Sequence, residues 1–250
     1  MESRSEIVDR IRAGYDVAAP KISDFAEEHR AREESSLYYC RLKELCRGKH
    51  LRALEIGVGG GFLSIFLARL GCEMTAVDNS DGILAQARRN FAEAGVDVDL
   101  RKIKDAQDLD FPEGTFDLIV SRKVTWHFTE PRKAYARWMK ALRPGGTMMV
   151  FDGNYYLKFN DPDYMLAEQQ NADYLYRCNG NTVNTDEEGF RRKLYMSSQR
   201  RPAWDISVLL GLGAPKVSAD VWESIKLTRE DGTVEWLPYT YFITARKGSK

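Results

Sequence analysis

The chain has 250 residues, 43% hydrophobic and 11% aromatic, enough for one large domain, or a domain with an insertion, whose core needs no covalent staple. Its 37 basic and 37 acidic residues cancel to a formal charge of zero, which excludes the global basic field of a dedicated nucleic-acid or membrane-surface binder. Cys40, Cys46, Cys72 and Cys178 make no CxxC pair, and His29, His50 and His127 are scattered, so neither a zinc site nor a disulfide framework is expected.

Residues 1–50 read as a polar helical cap. Ile7, Val8 and Ile11 fall at helical spacing, and a second helix is expected from about Ser35 to Cys46, with Leu37, Leu42 and Leu45. Tyr15 and Asp16 sit in what reads as a helix-breaking stretch ending at Pro20. Glu2, Arg4, Glu6 and Asp9 do not suit a secretory signal, and the longest uncharged run, Ile56 to Ala68, is too short to span a bilayer. With so few cysteines, a reducing, cytoplasmic setting is expected.

From Leu51 the pattern alternates. Leu51 to Ile56 reads as a strand. Leu63, Phe66, Leu67 and Leu70 mark an amphipathic helix stopped by Gly71, and Glu73 to Val77 is a second strand ending in Asp78. Ser80 suits the N-cap of a helix burying Ile83, Leu84, Ala87 and Phe91. Val96 to Ile103 and Phe116 to Ser121 are the third and fourth strands. Pro131 opens a helix with Ala134, Trp138 and Leu142 on one face; Pro144-Gly145-Gly146 stops it before a fifth strand, Thr147 to Phe151. Residues 153–202 break the alternation and read as an insertion folding back over the site. Trp204 to Leu210 resumes a helix, and Val217 to Leu227 and Glu235 to Lys247 are strands joined by a turn at Asp231-Gly232. The expected fold is a doubly wound α/β sheet, with ligands at the carboxyl ends of its strands.

The chemistry concentrates at Glu55-Ile-Gly57-Val-Gly59-Gly60-Gly61, a loop between a strand and a helix. Glycines there permit positive φ and let a ligand approach the backbone. A dinucleotide fingerprint would need a third glycine at 62 or 64, where Phe62 and Ser64 stand. Glu55 would repel a pyrophosphate and attract an ammonium, which S-adenosylmethionine carries together with a cationic sulfonium. Asp78, ending the second strand, suits the hydroxyls of an adenosine ribose. Asp105, after the third strand, is placed to accept from an adenine amine, and residues 121–123 are expected to line the pocket's other side.

These residues resemble the class I S-adenosylmethionine-dependent methyltransferases. The resemblance covers about Leu51 to Asp152 and rests on five features in order: ExGxGxG at 55–61, the acid at Asp78, Asp105-Ala106, FDLIVS at 116–121 and LRPGG at 142–146. It implies a mostly parallel, seven-stranded sheet with a reversed last strand near Tyr241 to Arg246. It further implies that Glu55, Gly57, Gly59, Gly61, Asp78, Asn79, Asp105, Ala106 and Ser121 bind S-adenosylmethionine. Residues 1–50 and 153–202 lie outside the shared core, where such enzymes choose their substrates.

The acceptor side is less specific. The Asn/Asp-Pro-Pro-aromatic motif of methylases acting on DNA bases is absent after the fourth strand. His127 is the candidate general base, with a helix-start histidine bonded to backbone as the alternative. Trp126, Asn154 and Tyr155 are the candidate acceptor contacts. Asp152 lacks the further ligands a metal site would need. Arg191, Arg192, Lys193, Arg200 and Arg201 form a basic cluster, read either as a solvated face or as a counter-charge for an anionic acceptor. The expected partner is a small-molecule acceptor, with a second copy of the chain left open and nucleic acid and membrane not expected. Rival readings are a non-catalytic donor-binding module, a methyltransferase acting on protein or RNA, and a nicotinamide oxidoreductase.

Overall fold

The structure, a computed structural model, describes residues 2–30, 37–179 and 189–249. Seven strands form one sheet in the order β3-β2-β1-β4-β5-β7-β6. They are β1 (Arg52–Ile56), β2 (Glu73–Asp78), β3 (Asp99–Lys102), β4 (Phe116–Arg122), β5 (Leu142–Gly153), β6 (Lys216–Thr228) and β7 (Val234–Arg246). β1 pairs in parallel with β2 and β4, and β2 with β3. β7 runs against β5: Lys247 N–H donates to Gly146 O, and Asn154 N–H to Tyr239 O, so residue numbers rise on one strand as they fall on the other. The α/β class and the reversed last strand are as expected. The chain divides into two compact units, residues 1–121, 133–148 and 246–250, and residues 122–132 and 149–245.

In the first unit, α3 (Phe62–Arg69) and α4 (Asp81–Ala94) follow β1 and β2. Phe62 to Leu67 are all buried in α3, so this helix is core on every side, wider than the amphipathic stripe predicts. α4 buries Ile83, Leu84, Ala87 and Phe91 as the pattern predicts. Ser80 caps it by accepting from Ile83 N–H, and Gly95 ends it in the left-handed region. Parallel pairing of β3 begins only at Asp99, opposite Thr75. Val96 and Val98, read as strand, instead pack on the cluster of Ile83, Ala87 and Phe91.

Two sequence expectations need correction here. α1 (Arg4–Arg30) runs through Pro20 without breaking. Proline removes one N–H and crowds the preceding turn, but Tyr15 and Ala19 are anchored in the apolar cluster of α4, and Asp16 bonds to the start of that helix. α2 (Leu37–Cys46) buries Leu42 and Cys46; its expected start at Ser35 lies outside the described residues. The second correction concerns Pro144-Gly145-Gly146. α5 (Pro131–Ala141) ends before it, and the three residues lie within β5. Gly145 N–H donates to the carbonyls of Lys247 and Gly248, and a Cβ on Gly146 would stand 2.9 Å from Arg143 O and 3.1 Å from Asp117 O. The glycines allow close strand contact at the start of β5.

In the second unit, the described residues of 153–202 form α6 (Pro162–Gln170) and α7 (Ala172–Asn179) with short 3-10 turns, and α8 (Ala203–Gly211) follows. Leu157, Tyr164 and Ala167 pack on Ile225, Leu227, Leu237 and Tyr239 of the β6–β7 hairpin. Arg229 N–H to Thr233 O closes that hairpin around Asp231-Gly232, as predicted.

Candidate active site

The first unit carries a cradle at the carboxyl ends of β1 and β2. Gly57, Gly59 and Gly61 have φ of 74, 52 and 81°, a region that side chains with a Cβ rarely enter. Gly57 and Val58 both donate to Val77 O, 2.9 and 3.1 Å away, tying the loop to the end of β2. Gly61 also lies where a Cβ would stand 2.3 Å from a ring carbon of Phe91. Asn90, buried in α4, donates to Gly60 O at 2.8 Å.

Asp78 closes this cradle. One carboxylate oxygen accepts from Asn79 N–H (2.8 Å) and Ser80 N–H (3.1 Å), and the other faces Gly59 N–H at 3.5 Å. Burial still pushes its pKa up, against the pull of these backbone donors. Such a carboxylate gains from any partner that brings hydroxyl or cationic donors.

Glu55 is 2% exposed, and its Oε2 accepts from Ser64 N–H at 2.8 Å and from the Ser64 hydroxyl. Ser64 stands in the first turn of α3, so Glu55 serves as a remote carboxylate cap on that helix. This role within the fold was not read from the sequence.

Asp105 Oδ2 accepts from Arg4 Nε at 2.8 Å, while Oδ1 accepts from Gln107 N–H at 2.8 Å and from the Gln107 side chain at 3.3 Å. Ala106 O accepts from Trp138 Nε1 at 3.0 Å. Ser121, at the end of β4, is fully buried, and its hydroxyl has no hydrogen-bond partner among the described residues. Arg4, Asp16 and Asn90 are supports that the sequence reading missed, because none belongs to a local motif.

The second unit carries a different constellation. Asp152, ending β5, is fully buried. Its Oδ2 accepts from Thr125 Oγ1 (2.5 Å) and Trp126 N–H (3.1 Å), and its Oδ1 from Gly153 N–H (2.9 Å). Arg201, equally buried, meets Asp205 with two hydrogen bonds of 2.7 and 2.8 Å, donates to Thr125 Oγ1 at 2.7 Å, and lies 3.4 Å from Asp152. Burial pushes the Asp152 pKa up, while Arg201 and Thr125 pull it down.

The basic cluster therefore does not exist as one patch. Arg201 is sealed with two aspartates, Arg200 pairs with Asp161 and Asp163, and Arg191 and Arg192 lie over the rings of Tyr156 and Phe159.

Trp126 and His127 form a short 3-10 turn with Thr125. Trp126 packs on Tyr156, 4.8 Å between ring centroids, and its Nε1 donates to Lys123 O. The half-buried His127 ring meets Trp126 and Phe128 edge-on. Tyr155 lies under the Lys123 ammonium, 5.7 Å from ring centroid to Nζ. Asn154 differs from an acceptor-facing amide: it is buried, its Nδ2 lies within bonding distance of Tyr164 Oη and the carbonyls of Arg201 and Pro238, and its Oδ1 accepts from Arg201 N–H.

Among the described residues, no group of three or more His, Cys, Asp or Glu could hold a metal ion. No described helix is long and apolar enough to cross a membrane.

Comparison with known proteins supplies the remaining observation. Residues 54–150 match a family model described as a methyltransferase domain. The ubiquinone biosynthesis O-methyltransferase of Caulobacter sp. (strain K31) is 39% identical over 108 residues, 43% of each chain. The match thus spans less than half of that relative's length. Among solved structures, a candidate S-adenosyl-L-methionine-dependent methyltransferase of Methanococcus maripaludis superposes with a TM-score of 0.59 at 18% identity, over 100% of this chain and 98% of that one. The Haemonchus contortus phosphoethanolamine N-methyltransferase 2, solved with phosphomonomethylethanolamine and S-adenosylhomocysteine, gives 0.52 at 17% identity, over 80% of this chain and 49% of that one. These last two likenesses concern the fold alone. Residues 54–150 are thus similar to a methyltransferase domain, a likeness with which the glycine loop, the acid ending β2 and the parallel order of β1 to β4 agree.

Proposed function

We propose that the chain moves a methyl group from S-adenosylmethionine to the oxygen of a small-molecule acceptor. The carrying observation is the pairing of Asp78 with the left-handed Gly57 and Gly59, an acid beside exposed backbone with no phosphate-binding third glycine. Oxygen is preferred to nitrogen because the relative matching residues of this domain at 39% identity is named an O-methyltransferase.

The residues present fit the donor. Asp78 would take the ribose hydroxyls, Asn79 would border the sugar, and Gly57, Gly59 and Gly61 would leave room for the chain along the backbone. Ser121 offers a buried hydroxyl without a partner among the described residues. Asp105 and Ala106 would flank the adenine. Because Asp105 already accepts from Arg4 and Gln107, an adenine amine would share an occupied carboxylate. Glu55 would hold α3 and supply negative charge for the donor's ammonium through water.

The bound donor supplies a methyl group already activated on a positively charged sulfur. The chain's contribution is then to position and desolvate, and good orientation alone is worth roughly 7–11 kcal/mol of barrier. Trp126 and Tyr155 would wall the acceptor, and His127 would orient or deprotonate it. Asn154 would act at one remove, by holding the Arg201 backbone.

Calorimetry with S-adenosylhomocysteine tests the reading. Wild-type binding and at least a hundredfold loss in Asp78→Asn are expected, since two charge-assisted hydrogen bonds are worth about 3–6 kcal/mol together. Failure of the wild type to bind, or equal binding by Asp78→Asn, would remove the donor assignment.

A further inference from the structure

Two of the cysteines meet inside the first unit, although no CxxC spacing announces them. Cys46 ends α2 and Cys72 stands just before β2, 26 positions later, yet their sulfurs lie 3.5 Å apart and share a hydrogen bond. Both residues are buried, 3% and 7% exposed. Packing holds the contact. Tyr38 and Tyr39 of α2 meet Phe62 and Phe66 of α3 edge-on, 5.6 and 5.3 Å between ring centroids. Cys72 N–H donates to Leu67 O at 3.0 Å and Glu73 N–H to Leu51 O at 2.8 Å, which fixes the backbone around the second sulfur.

The two thiols differ in access. Among the described cysteines, Cys72 alone lines a cavity of about 780 Å³. Met74, Phe111 and Phe116 give that cavity apolar walls. Arg52 and Glu73, also on its wall, have side chains 54% and 65% exposed, so it opens to water. Arg52, Glu73 and Phe116 begin β1, β2 and β4. The cavity therefore lies at the amino ends of these strands, away from the glycine loop at their carboxyl ends. Its size suits a small organic molecule.

We propose that Cys72 and Cys46 form a thiol–disulfide exchange site, in which a low-molecular-weight disulfide entering this cavity oxidises the pair to a reversible staple. In the first step the Cys72 thiolate bonds to one sulfur of the small disulfide. That S–S bond breaks, its electron pair leaves on the other sulfur, and the released thiolate takes up the proton that Cys72 lost. In the second step Cys46 sheds its proton and bonds to the Cys72 sulfur, expelling the remaining small thiolate, which takes that proton. Two protein thiols are oxidised by two electrons, and one small disulfide is reduced to two thiols.

The electrostatic surroundings agree with this order. The hydrogen bond from Cys46 leads in drawing the Cys72 pKa down, helped by the Leu51 backbone N–H and opposed by burial and Asp117. Donating that bond, and burial, push the Cys46 pKa up. The thiolate is the attacking form, so Cys72 reacts first. Once Cys72 is in the mixed disulfide, the chief cause holding the Cys46 proton is gone. The closed bond encircles β1, the glycine loop and α3, and closing such a loop removes freedom from the unfolded chain.

The test uses the full chain and oxidised glutathione, with wild type and with Cys40→Ser/Cys178→Ser, which keeps no cysteine but the pair. Folded protein is trapped with acid and N-ethylmaleimide and mapped by mass spectrometry. A peptide cross-linked through Cys46 and Cys72 is expected, with the mass of two hydrogens lost from the pair-only chain, and dithiothreitol should restore both thiols. The cross-linked form should melt roughly 5–15 °C above the reduced one. With Cys46→Ser added, Cys72 should hold one glutathione. With Cys72→Ser added instead, Cys46 should react at least tenfold more slowly.

Two free thiols after an exposure that fully modifies Cys40 in wild type would overturn the inference. So would a cross-link that forms only once urea has unfolded the chain, glutathione taken up by Cys46 in preference to Cys72, or a cross-linked form that melts no higher. The pair-only chain decides the matter whether or not either single serine variant folds. None of these outcomes bears on the methyl-transfer reading.

Discussion

Replacing Asp205 by asparagine separates the two acids that flank Arg201. The pair of Asp205 and Arg201 is bidentate and sealed, with side chains 0% and 1% exposed. The contact from Arg201 to Asp152 is longer, 3.4 Å. Asp205→Asn keeps the shape and removes the charge that best balances the guanidinium. Breaking one side of a buried pair costs about 3–5 kcal/mol. For a chain of this size each kcal/mol moves Tm by roughly 2–4 °C, so a fall of about 6–20 °C is expected.

Asp152→Asn should cost less, about 1–2 kcal/mol, the worth of degraded hydrogen bonds to Thr125 and Trp126. Burial raises the Asp152 pKa above its unfolded value, so its contribution is fully present below about pH 4 and lost as pH rises through the folded pKa. The gap between wild type and Asp152→Asn should therefore narrow from pH 4 to pH 8. Urea unfolding followed by tryptophan fluorescence measures both, since Trp126, Trp204, Trp222 and Trp236 all belong to the second unit. An Asp205→Asn within 1 kcal/mol of wild type, or an Asp152→Asn that proves the more damaging of the two, would refute the assignment of the buried charge.

Other outcomes follow from the first unit. Gly61→Ala should destabilise by about 2 kcal/mol or more, through both positive φ and the clash with Phe91. Phe91→Leu in the same chain should recover part of that loss in a thermal melt. Asp16→Ala should cost about 0.5–2 kcal/mol, since its carboxylate accepts from Ser80 Oγ and Gly82 N–H at the start of α4. The bond from Ser80 leads in holding the Asp16 pKa down, so this stabilisation is present above the unfolded pKa and disappears as pH falls through the lower folded value. In folded protein, iodoacetamide should label exposed Cys40 well before buried Cys46 and Cys72, as read by peptide mass spectrometry.

The alternation of strands and helices was legible because local pattern and tertiary burial agree there. The apolar faces of α3 and α4 are core, and Ser80 caps where its chemistry directs. The glycine loop and Asp78 could be placed for the same reason: each directly follows or ends a strand, β1 or β2, whose own pattern marks it. What sequence could not show depends on partners far along it. Pro20 sits inside a helix because α4 holds the flanking turns. The glycines before β5's core pair with a strand end a hundred residues away. Arg201 reads as one of five neighbouring cations, yet only Asp152 and Asp205 decide that it is interior. Lys123 carries no sequence signal for its left-handed backbone, which is held by a long-range hydrogen bond to Phe151 O and a local one from Trp126 Nε1.

One property of α1 reaches further than its position suggests. Arg4 fastens it to Asp105, and Asp16 fastens it to the start of α4. Twelve residues of helix separate the two fixings, roughly 18 Å of rigid rod. The rod therefore works as a two-pinned brace, and loosening either pin frees the acid rim that the other would leave half-clamped. For anyone trimming or tagging this protein, that brace supports the candidate site and should be kept whole.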